Sequence, residues 1–572
     1  MRRNEEVAQR LEEMADLLEA QDVEFKPRAY RRAAERIRDL GQPVEVLADA
    51  GEEALTDVED VGGAIAAKII EYLDTDQIEE LEELKEELPV DMEALQRVEG
   101  LGPKRIGALY DALEITTLEE LEAAAEAGHI QEVEGFGAKT ESNILERIPF
   151  AKEAAKRHLL VYGVEVAEEI LAELEADSAV KRCSVAGSIR RWLPTVGDVD
   201  LLVATEDPTA VRETIEASEN VATILEAGES KARVRSKEGV SVDFRFVDAG
   251  SFGAALQYFT GSKDHNVQLR SRAIDRGLKI NEYGVFTADD SRIAGDTEES
   301  MYEAVDLPYI EPELREARGE IEAAAADALP VLLEDEDIRG DLHMHTTWSD
   351  GATDIEGMVQ AAADAGHDYV AITDHAPGAG VRGDITIDLD DIERQQAEIE
   401  SVREGAPIRV YHGLETNIES DGSIDFPGEL LSDLDVVIAS PHAALSQDSE
   451  TATERLVQAI EHPQVDIIGH PTGRKLGQRP GLDLDLGPVV QAAATHEVAL
   501  EVNSHPVRLD LEGLGVKQAI EAGAPVVIST DAHRPGELSL IRFGVRTARR
   551  GWAEAADILN TRSPAELDAW LG

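Results

Sequence analysis

Two carboxylates separated by one residue, Asp198 and Asp200 in Gly197-Asp198-Val199-Asp200-Leu201-Leu202-Val203, sit at the start of an apolar run that reads as a strand. Residues two apart in a strand share a face. Like charges so placed repel unless cations lie between them. Two divalent ions on hard oxygen ligands would meet that need, and they suit phosphoryl transfer. Asp243, in Ser241-Val242-Asp243-Phe244-Arg245-Phe246, is the candidate third carboxylate from another strand. Upstream, Gly187 and Ser188 can offer backbone N–H and hydroxyl groups to a triphosphate, and Arg191 a charged clamp. Downstream, Tyr258 and Phe259, the turn at Gly261 and then Asn266 could line a sugar and base. Together these describe a nucleotidyltransferase palm.

A second set lies in the C-terminal third. His343, His345, Asp350, His375, Glu415, His442, His470, Asp531 and His533 follow successive short apolar runs, several beside further acids such as Asp341, Asp374 and Glu501. His, Asp and Glu without sulfur suit Zn²⁺, Mn²⁺ or Fe²⁺. Nine candidates exceed what one ion needs, so two or three ions are expected, with Glu415 as a bridge. Metal-assisted phosphoester hydrolysis is the chemistry such a set favours.

These residues need elements to place them. From Arg339 onward, short apolar strands alternate with amphipathic helices about seven times, the pattern of an α/β barrel or parallel sheet, whose catalytic groups gather at the C-terminal strand ends. Residues 1–150 read as helical and carry an internal repeat around Gly62-Gly63, Gly100-Leu101-Gly102-Pro103-Lys104 and Gly135-Phe136-Gly137-Ala138-Lys139. Each copy is Val-Glu, a glycine turn, then a small or basic residue opening a helix. Such hairpins can grip a phosphate with backbone N–H groups at a helix start. Lys68 opens an apolar helix; a solvent-facing lysine and a Schiff-base nucleophile for an abasic sugar are both open readings. A linking helix is expected near 150–160, and a charged helical connector with a solvated acidic run over Glu316 to Ile338. The segments are therefore 1–90 and 91–150, both helical; 151–249, the palm; 250–317; a linker, 318–338; and 339–572, the metal-dependent domain.

The chain has 572 residues and is 42% hydrophobic, enough for several cores. It has no apolar run long enough to span a membrane and no signal-peptide core at its start, so a cytoplasmic protein without a membrane partner is expected. The single cysteine, Cys183, excludes an internal disulfide framework and is read as a small core residue. The net charge of −64 is unusual for a nucleic-acid enzyme, whose phosphate contacts call for cations. Acids are spread evenly, and only 14 of the 54 basic residues are lysine. That spread suggests adaptation to molar salt, hence a halophilic source.

Residues 1–317 resemble the family X DNA polymerases, small gap-filling repair enzymes that include polymerase beta. The resemblance rests on Arg28-Ala29-Tyr30-Arg31-Arg32-Ala33-Ala34, Gly187-Ser188-x-Arg190-Arg191, Gly197-Asp198-x-Asp200, Tyr258-Phe259-Thr260-Gly261-Ser262 and Ile280-Asn281-Glu282-Tyr283. The glycine repeats resemble helix-hairpin-helix elements, which hold DNA backbone without reading bases. The resemblance implies two Mg²⁺ ions on Asp198, Asp200 and Asp243, and a triphosphate on Ser188 and Arg191. It also implies a template contact from Arg270 and a lyase position at Lys68. Two departures stand out: Ser241 replaces an arginine that can precede the third aspartate, and Ala64 replaces a lysine that supports the lyase, whose activity is then weak. Residues 339–535 resemble the PHP domain (polymerase and histidinol phosphatase), through His343-x-His345-Thr346-x-x-Ser349-Asp350-Gly351 and the later ligands. That likeness implies a distorted seven-stranded barrel holding two or three Mn²⁺ or Zn²⁺ ions and, fused to such a polymerase, a 3′–5′ exonuclease. The expected partners are gapped or primer-template DNA and dNTPs, with a monomer as the working form. A small-molecule phosphoesterase with a vestigial polymerase half, and a non-catalytic DNA scaffold, are the rival readings.

Overall fold

The computed structural model describes all residues except 1, 24, 39, 41–43, 59, 76, 99, 155–156, 377–386, 388, 425, 427–430 and 432. It divides into two compact units, one of residues 1–156 with 477–479 and one of the remainder.

The first unit is helical, and one apolar cluster runs through it from Val7 to Ala151. Its three glycine hairpins have the same backbone. In each, an N–H bonds the carbonyl three residues back: Val61 to Val58 at 3.1 Å, Leu101 to Val98 at 2.9 Å, Phe136 to Val133 at 3.0 Å. The residue before each donor has positive φ: Asp60 at 61°, Gly100 at 90°, Gly135 at 84°. A helix then starts at Gly63, Pro103 or Ala138. The repeat seen in the sequence is therefore a repeat of conformation. The last of these helices runs Ala138–Ala154 with Pro149 inside it, and a short strand, His158–Leu159, follows before the helix Leu160–Ala176. The linking helix expected near 150–160 is thus the end of one helix, a strand and the start of another.

The second unit holds two sheets that carry the chemistry. The first has strands β1 (Val180–Val185), β2 (Asp198–Thr205), β3 (Val221–Ala227), β4 (Lys231–Ser236) and β5 (Ser241–Val247), in the order β1-β2-β5-β4-β3. β2 and β5 are parallel; the other pairings are antiparallel. Val199, Leu201, Val203, Ala232, Val234, Val242 and Phe244 bury one face against the helix Leu160–Ala176. Period-two alternation leaves Asp198, Asp200, Asp243 and Arg233 on the other face. Cys183 lies on the edge strand β1 and is half-buried, where burial raises its thiol to about 11. It is not the enclosed core residue the sequence suggested, because an edge strand is covered less completely.

After helices Phe252–Thr260 and Lys263–Asp275 and a small three-stranded sheet (279–294), the chain enters seven parallel strands. These are β6 (Gly340–Asp341), β7 (Tyr369–Ile372), β8 (Arg409–Asn417), β9 (Val436–Ser440), β10 (Ile467–Ile468), β11 (Ala499–Asn503) and β12 (Val526–Ser529), adjacent in sequence order. A parallel bridge between Met344 and Ala532, just past β6 and β12, brings the two edges together into a nearly closed barrel. The strands are buried on both faces, as parallel strands wrapped by helices must be.

The connector differs from expectation. Only Glu320–Ala325 is α-helical; the acidic run lies at the surface, with Glu334 and Glu336 exposed as expected, but two of its carboxylates are paired. Glu334 takes Arg549 at 2.8 Å and Asp335 takes Arg546 at 2.9 Å, both from the basic helix Ile541–Arg550. The same helix presents Arg549 to buried Glu313 at 2.8 Å, and Phe543 edge-on to Trp192 at 5.7 Å. Arginines that late in the chain could not be paired with the connector from the sequence. No described helix is long and apolar enough to cross a membrane.

Candidate active sites

On the palm sheet, Asp200 and Asp243 are register partners across β2 and β5, and Asp198 faces Ser241. Burial raises Asp200 to about 7, and the nearby charges of Asp198 and Asp243 add to it. Asp198 is raised by burial and by Asp243. Three carboxylates sharing one face in this way fit a hard divalent cation, whose charge would relieve both the burial and the repulsion. Gly187, at φ 63°, lies against this group: an added Cβ would come within 2.0 Å of Asp200 Oδ2. Only glycine allows the turn and the carboxylate to occupy adjoining space. Arg233 on β4 grips both oxygens of Asp243.

Around the palm, Arg190 is a structural tie, bonding Glu298 at 2.5 and 2.8 Å and the Thr260 hydroxyl at 2.7 Å. Arg191, at the end of the same turn, is mostly buried, its side chain 12% exposed. Its Nε meets Glu316 at 2.9 Å and its Nη1 donates to the Thr260 carbonyl, beside Gly261. Glu316 opposes its own burial through Arg550 and Arg191, which hold its carboxyl below the usual range. Ser188, half-buried, follows Gly187 in the turn. Tyr258 is exposed and stands edge-on to Phe259 at 5.2 Å. Asn266 is fixed from both ends: Gln257 Nε2 donates to its oxygen at 2.7 Å, and its nitrogen donates to the Tyr258 carbonyl at 2.8 Å. Arg270, one turn on, is exposed.

In the helical unit, Gly62, Gly63, Gly100, Gly102, Gly135 and Gly137 are exposed, as are Lys104 and Lys139. At Gly62, Gly102 and Gly137, none of which has a positive φ, an added Cβ would meet nothing within 4 Å. Internal packing does not demand glycine there, whereas close approach of an external backbone would. Lys68 is half-buried, 2.7 Å from Glu80. Burial works to lower its pKa but is outweighed by the bond to Glu80 and the nearby Tyr30, so it is raised. Its ammonium is stabilised rather than primed as a nucleophile.

The barrel gathers its nine residues in one place, all just past or at the C-terminal strand ends. Glu415 on β8 is the centre and is fully buried. His375 Nδ1 lies 2.9 Å from it, His470 Nε2 3.2 Å, His442 Nε2 3.3 Å, His343 Nε2 3.4 Å and His345 Nε2 3.6 Å. Asp350 meets His375 at 3.4 Å and His533 at 3.3 Å, while Asp531 meets His345 at 3.1 Å. Both Glu415 oxygens, His343 Nε2, His345 Nδ1 and His375 Nδ1 are buried without a hydrogen-bond partner. Among the described residues, three overlapping groups have ligand atoms close enough to share an ion: His345–Asp350–His375–His533, His343–His345–Glu415 and His375–Glu415–His442. Orphaned, converging nitrogen and carboxylate atoms fit a multinuclear centre of first-row divalent ions. Electrostatics agrees. Burial opposes charge throughout, yet Glu415 raises His375 to about 10, while His343, His442 and His375 hold Glu415 well below its ordinary value.

Glu501 was seen in the sequence only as one acid among several. It accepts from, or shares a proton with, His343 Nδ1 at 2.7 Å and accepts the His470 N–H at 2.5 Å. Asn503, two residues on and on the same face of β11, bonds Glu501 at 3.3 Å and Asp531 at 3.0 Å. Both orient ligands rather than provide one. Their signal was position: they end a strand in a barrel whose other strands lead into the candidate ligands. Replacing Glu501 by Ala is expected to weaken divalent-metal binding about 10- to 100-fold. Competition against a chelating dye measures this, and an unchanged affinity would show that His343 needs no such partner.

Family models match four stretches of the chain. Residues 2–78 match the helix-hairpin-helix domain, 92–148 the SAM-like helix-hairpin-helix tandem, 255–316 the DNA polymerase beta thumb and 341–505 the PHP domain. The DNA polymerase/3′-5′ exonuclease PolX of Bacillus subtilis is 36% identical over 554 residues, 96% of either chain. Two further relatives match about a third of the chain. A probable phosphatase of Shewanella loihica is 33% identical over 208 residues, and the probable phosphatase YcdX of Shigella flexneri 31%; each match covers 34% of this chain, with 77% and 78% of the respective relative. With a palm, a thumb, helical hairpins and a histidine-rich barrel all in place, and a relative aligned along nearly its full length, the chain belongs to the PolX family of family X DNA polymerases with a C-terminal PHP domain.

Proposed function

We propose that this chain is a DNA polymerase that fills short gaps during repair and trims 3′ ends with its barrel as a 3′–5′ exonuclease. The observation that carries the reading is the coexistence of three aspartates on one palm sheet face and a histidine-rich, metal-capable group in the barrel, in a chain that aligns over 96% of its length with a polymerase/exonuclease. A vestigial polymerase half would have had no reason to keep Asp198, Asp200 and Asp243 on one sheet face. The phosphatase relatives match only about a third of the chain, so phosphoester chemistry of their kind leaves most of it unexplained.

In the palm, Asp198, Asp200 and Asp243 would hold two Mg²⁺ ions, which supply charge to activate the primer 3′-OH and to neutralise the triphosphate. Arg191 would exchange Glu316 for triphosphate, leaving that carboxylate with Arg550, 3.2 Å away. Ser188 and the Gly187 turn would add donors. Tyr258, Phe259, Gly261 and Asn266 would line the sugar and base, Asn266 being held still by its two bonds. Arg270 would reach the template. In the barrel, His343, His345, Asp350, His375, Glu415, His442, His470, Asp531 and His533 would hold two or three Mn²⁺ or Zn²⁺ ions, which polarise the scissile phosphate. Glu501 and Asn503 keep the rings and carboxylate aimed. The glycine hairpins, with Lys104 and Lys139, would take the DNA backbone. The strongly acidic surface suits work at high salt in the cytoplasm of a halophile, where exclusion of DNA by like charge is screened.

A 5′-labelled primer on a one-nucleotide-gapped duplex, in Mg²⁺ or Mn²⁺ at high KCl, separates the two activities. Asp198→Asn with Asp200→Asn is expected to abolish extension and spare 3′ shortening. His343→Ala with His345→Ala is expected to do the reverse. Joint loss in folded variants would contradict two independent sites.

Lyase action by Lys68 is expected to be slow at neutral pH. Its folded pKa is raised, so the free amine appears only as pH climbs through that value. Borohydride trapping on abasic DNA should therefore increase with pH, and Glu80→Gln should increase it at neutral pH. Strong trapping at neutral pH, unaffected by Glu80→Gln, would overturn this.

A further inference from the structure

Asp243 stands in register between neighbours of opposite sign, Asp200 on β2 and Arg233 on β4. Arg233 meets it with two parallel bonds, Nε to Oδ1 and Nη2 to Oδ2, the latter at 2.5 Å. A bidentate guanidinium fixes the plane of a carboxylate as well as its place. The other cations on that face of β4 are turned elsewhere. Arg235 donates to the Gly239 carbonyl at 3.1 Å, and Lys231 pairs with Glu226 at 2.7 Å. On β5 itself, the residue two before Asp243 is Ser241, which bears no charge, and the residue two after, Arg245, lies over the Phe259 ring at 5.2 Å. Arg233 is 48% exposed, so its side chain fills no core space and contributes little as a structural strut.

We propose that Arg233 is the positioning residue of the third catalytic carboxylate, supplied across the sheet from β4 where β5 has Ser241. It aims Asp243 at the space facing Asp198 and Asp200, and it acts as counter-ion to that group until divalent cations arrive. The proposal rests on the two-metal reading of the palm. Because a guanidinium both orients the carboxylate and competes with a cation for it, its removal has two opposite consequences. The palm should bind Mn²⁺ several-fold more tightly, and nucleotide addition should slow by about tenfold or more as Asp243 loses its aim, with KM for dNTP little changed.

The test compares full-length wild type with Arg233→Ala, Arg233→Lys and the double variant Arg233→Ala/Ser241→Arg. Mn²⁺ binding to the palm is read by electron paramagnetic resonance as the component lost in Asp198→Asn/Asp200→Asn. Single-turnover addition gives kcat and KM, and thermal melting checks folding. Expected are tighter Mn²⁺ binding and lower kcat in Arg233→Ala. Arg233→Lys should show near-normal Mn²⁺ binding but lowered kcat, because an ammonium cannot make the fork. The double variant should recover kcat, because a guanidinium two residues before Asp243 shares its face. Unchanged kcat and Mn²⁺ affinity in Arg233→Ala, or no recovery in a folded double variant, would overturn the proposal. If Arg233→Ala does not fold, the contrast between wild type and Arg233→Lys decides it. A wild type that binds palm Mn²⁺ but adds no nucleotide would sink the polymerase reading, while the Mn²⁺ comparison still judges Arg233.

Discussion

Carboxylates held side by side away from water repel one another, and each needs a positive partner to remain charged. This chain creates that situation twice. On the palm, Asp200 is largely buried between Asp198 and Asp243, and its carboxyl rises to about 7. In the barrel, Glu415 is wholly enclosed with five imidazoles around it, and His343, His442 and His375 hold its carboxyl well below the ordinary value. The two solutions differ in kind. The palm, with oxygens only, is matched to small hard cations, and Arg233 pairs with Asp243 there. The barrel, rich in nitrogen, is matched to first-row ions.

The rest of the fold serves these two places. Parallel pairing of β2 and β5 brings Asp200 and Asp243 level, and the glycine at 187 lets the neighbouring turn close over them. Seven parallel strands end together, so side chains nearly 200 residues apart in sequence, from His343 to His533, meet in overlapping groups, two of which share Glu415. The helix Ile541–Arg550 then joins the barrel to the palm and thumb through Phe543, Arg546, Arg549 and Arg550. The burial of the Arg549–Glu313 pair makes this junction specific: losing one member would leave the other charged and enclosed, at a cost of about 3–5 kcal/mol.

Much of this could be read from residue spacing. Alternation placed Asp198 and Asp200 on one face, and strand-ending histidines gave the barrel and all nine of its converging residues. The three glycine hairpins were visible as a repeat, even where Asp60 stands in the left-handed position that Gly100 and Gly135 fill later. What spacing could not give were partners distant in sequence. The acidic run Glu334–Asp337 is exposed at Glu334 and Glu336, but the pairing of Asp335 and Glu334 with Arg546 and Arg549, over 200 residues away, left no trace in the sequence. Lys68 could be read two ways until Glu80 was found beside it, and Ser241 looked like a plain loss until Arg233 appeared on the next strand. The turn at Cys183 from expected core to half-buried edge has the same origin: sheet order, not local sequence, decides which strand is covered. Part of the segment between His375 and the helix Leu389–Gly405 lies outside the described residues.

The central claim is that both carboxylate groups are built for cations. Anomalous diffraction at the manganese edge, from crystals soaked in Mn²⁺ with gapped DNA and a non-hydrolysable dNTP analogue, tests it directly. The account predicts two or three peaks around Glu415 and two between Asp198, Asp200, Asp243 and the triphosphate. Protein ordered at both places, with no peak beside Glu415 or none beside Asp200, would contradict it.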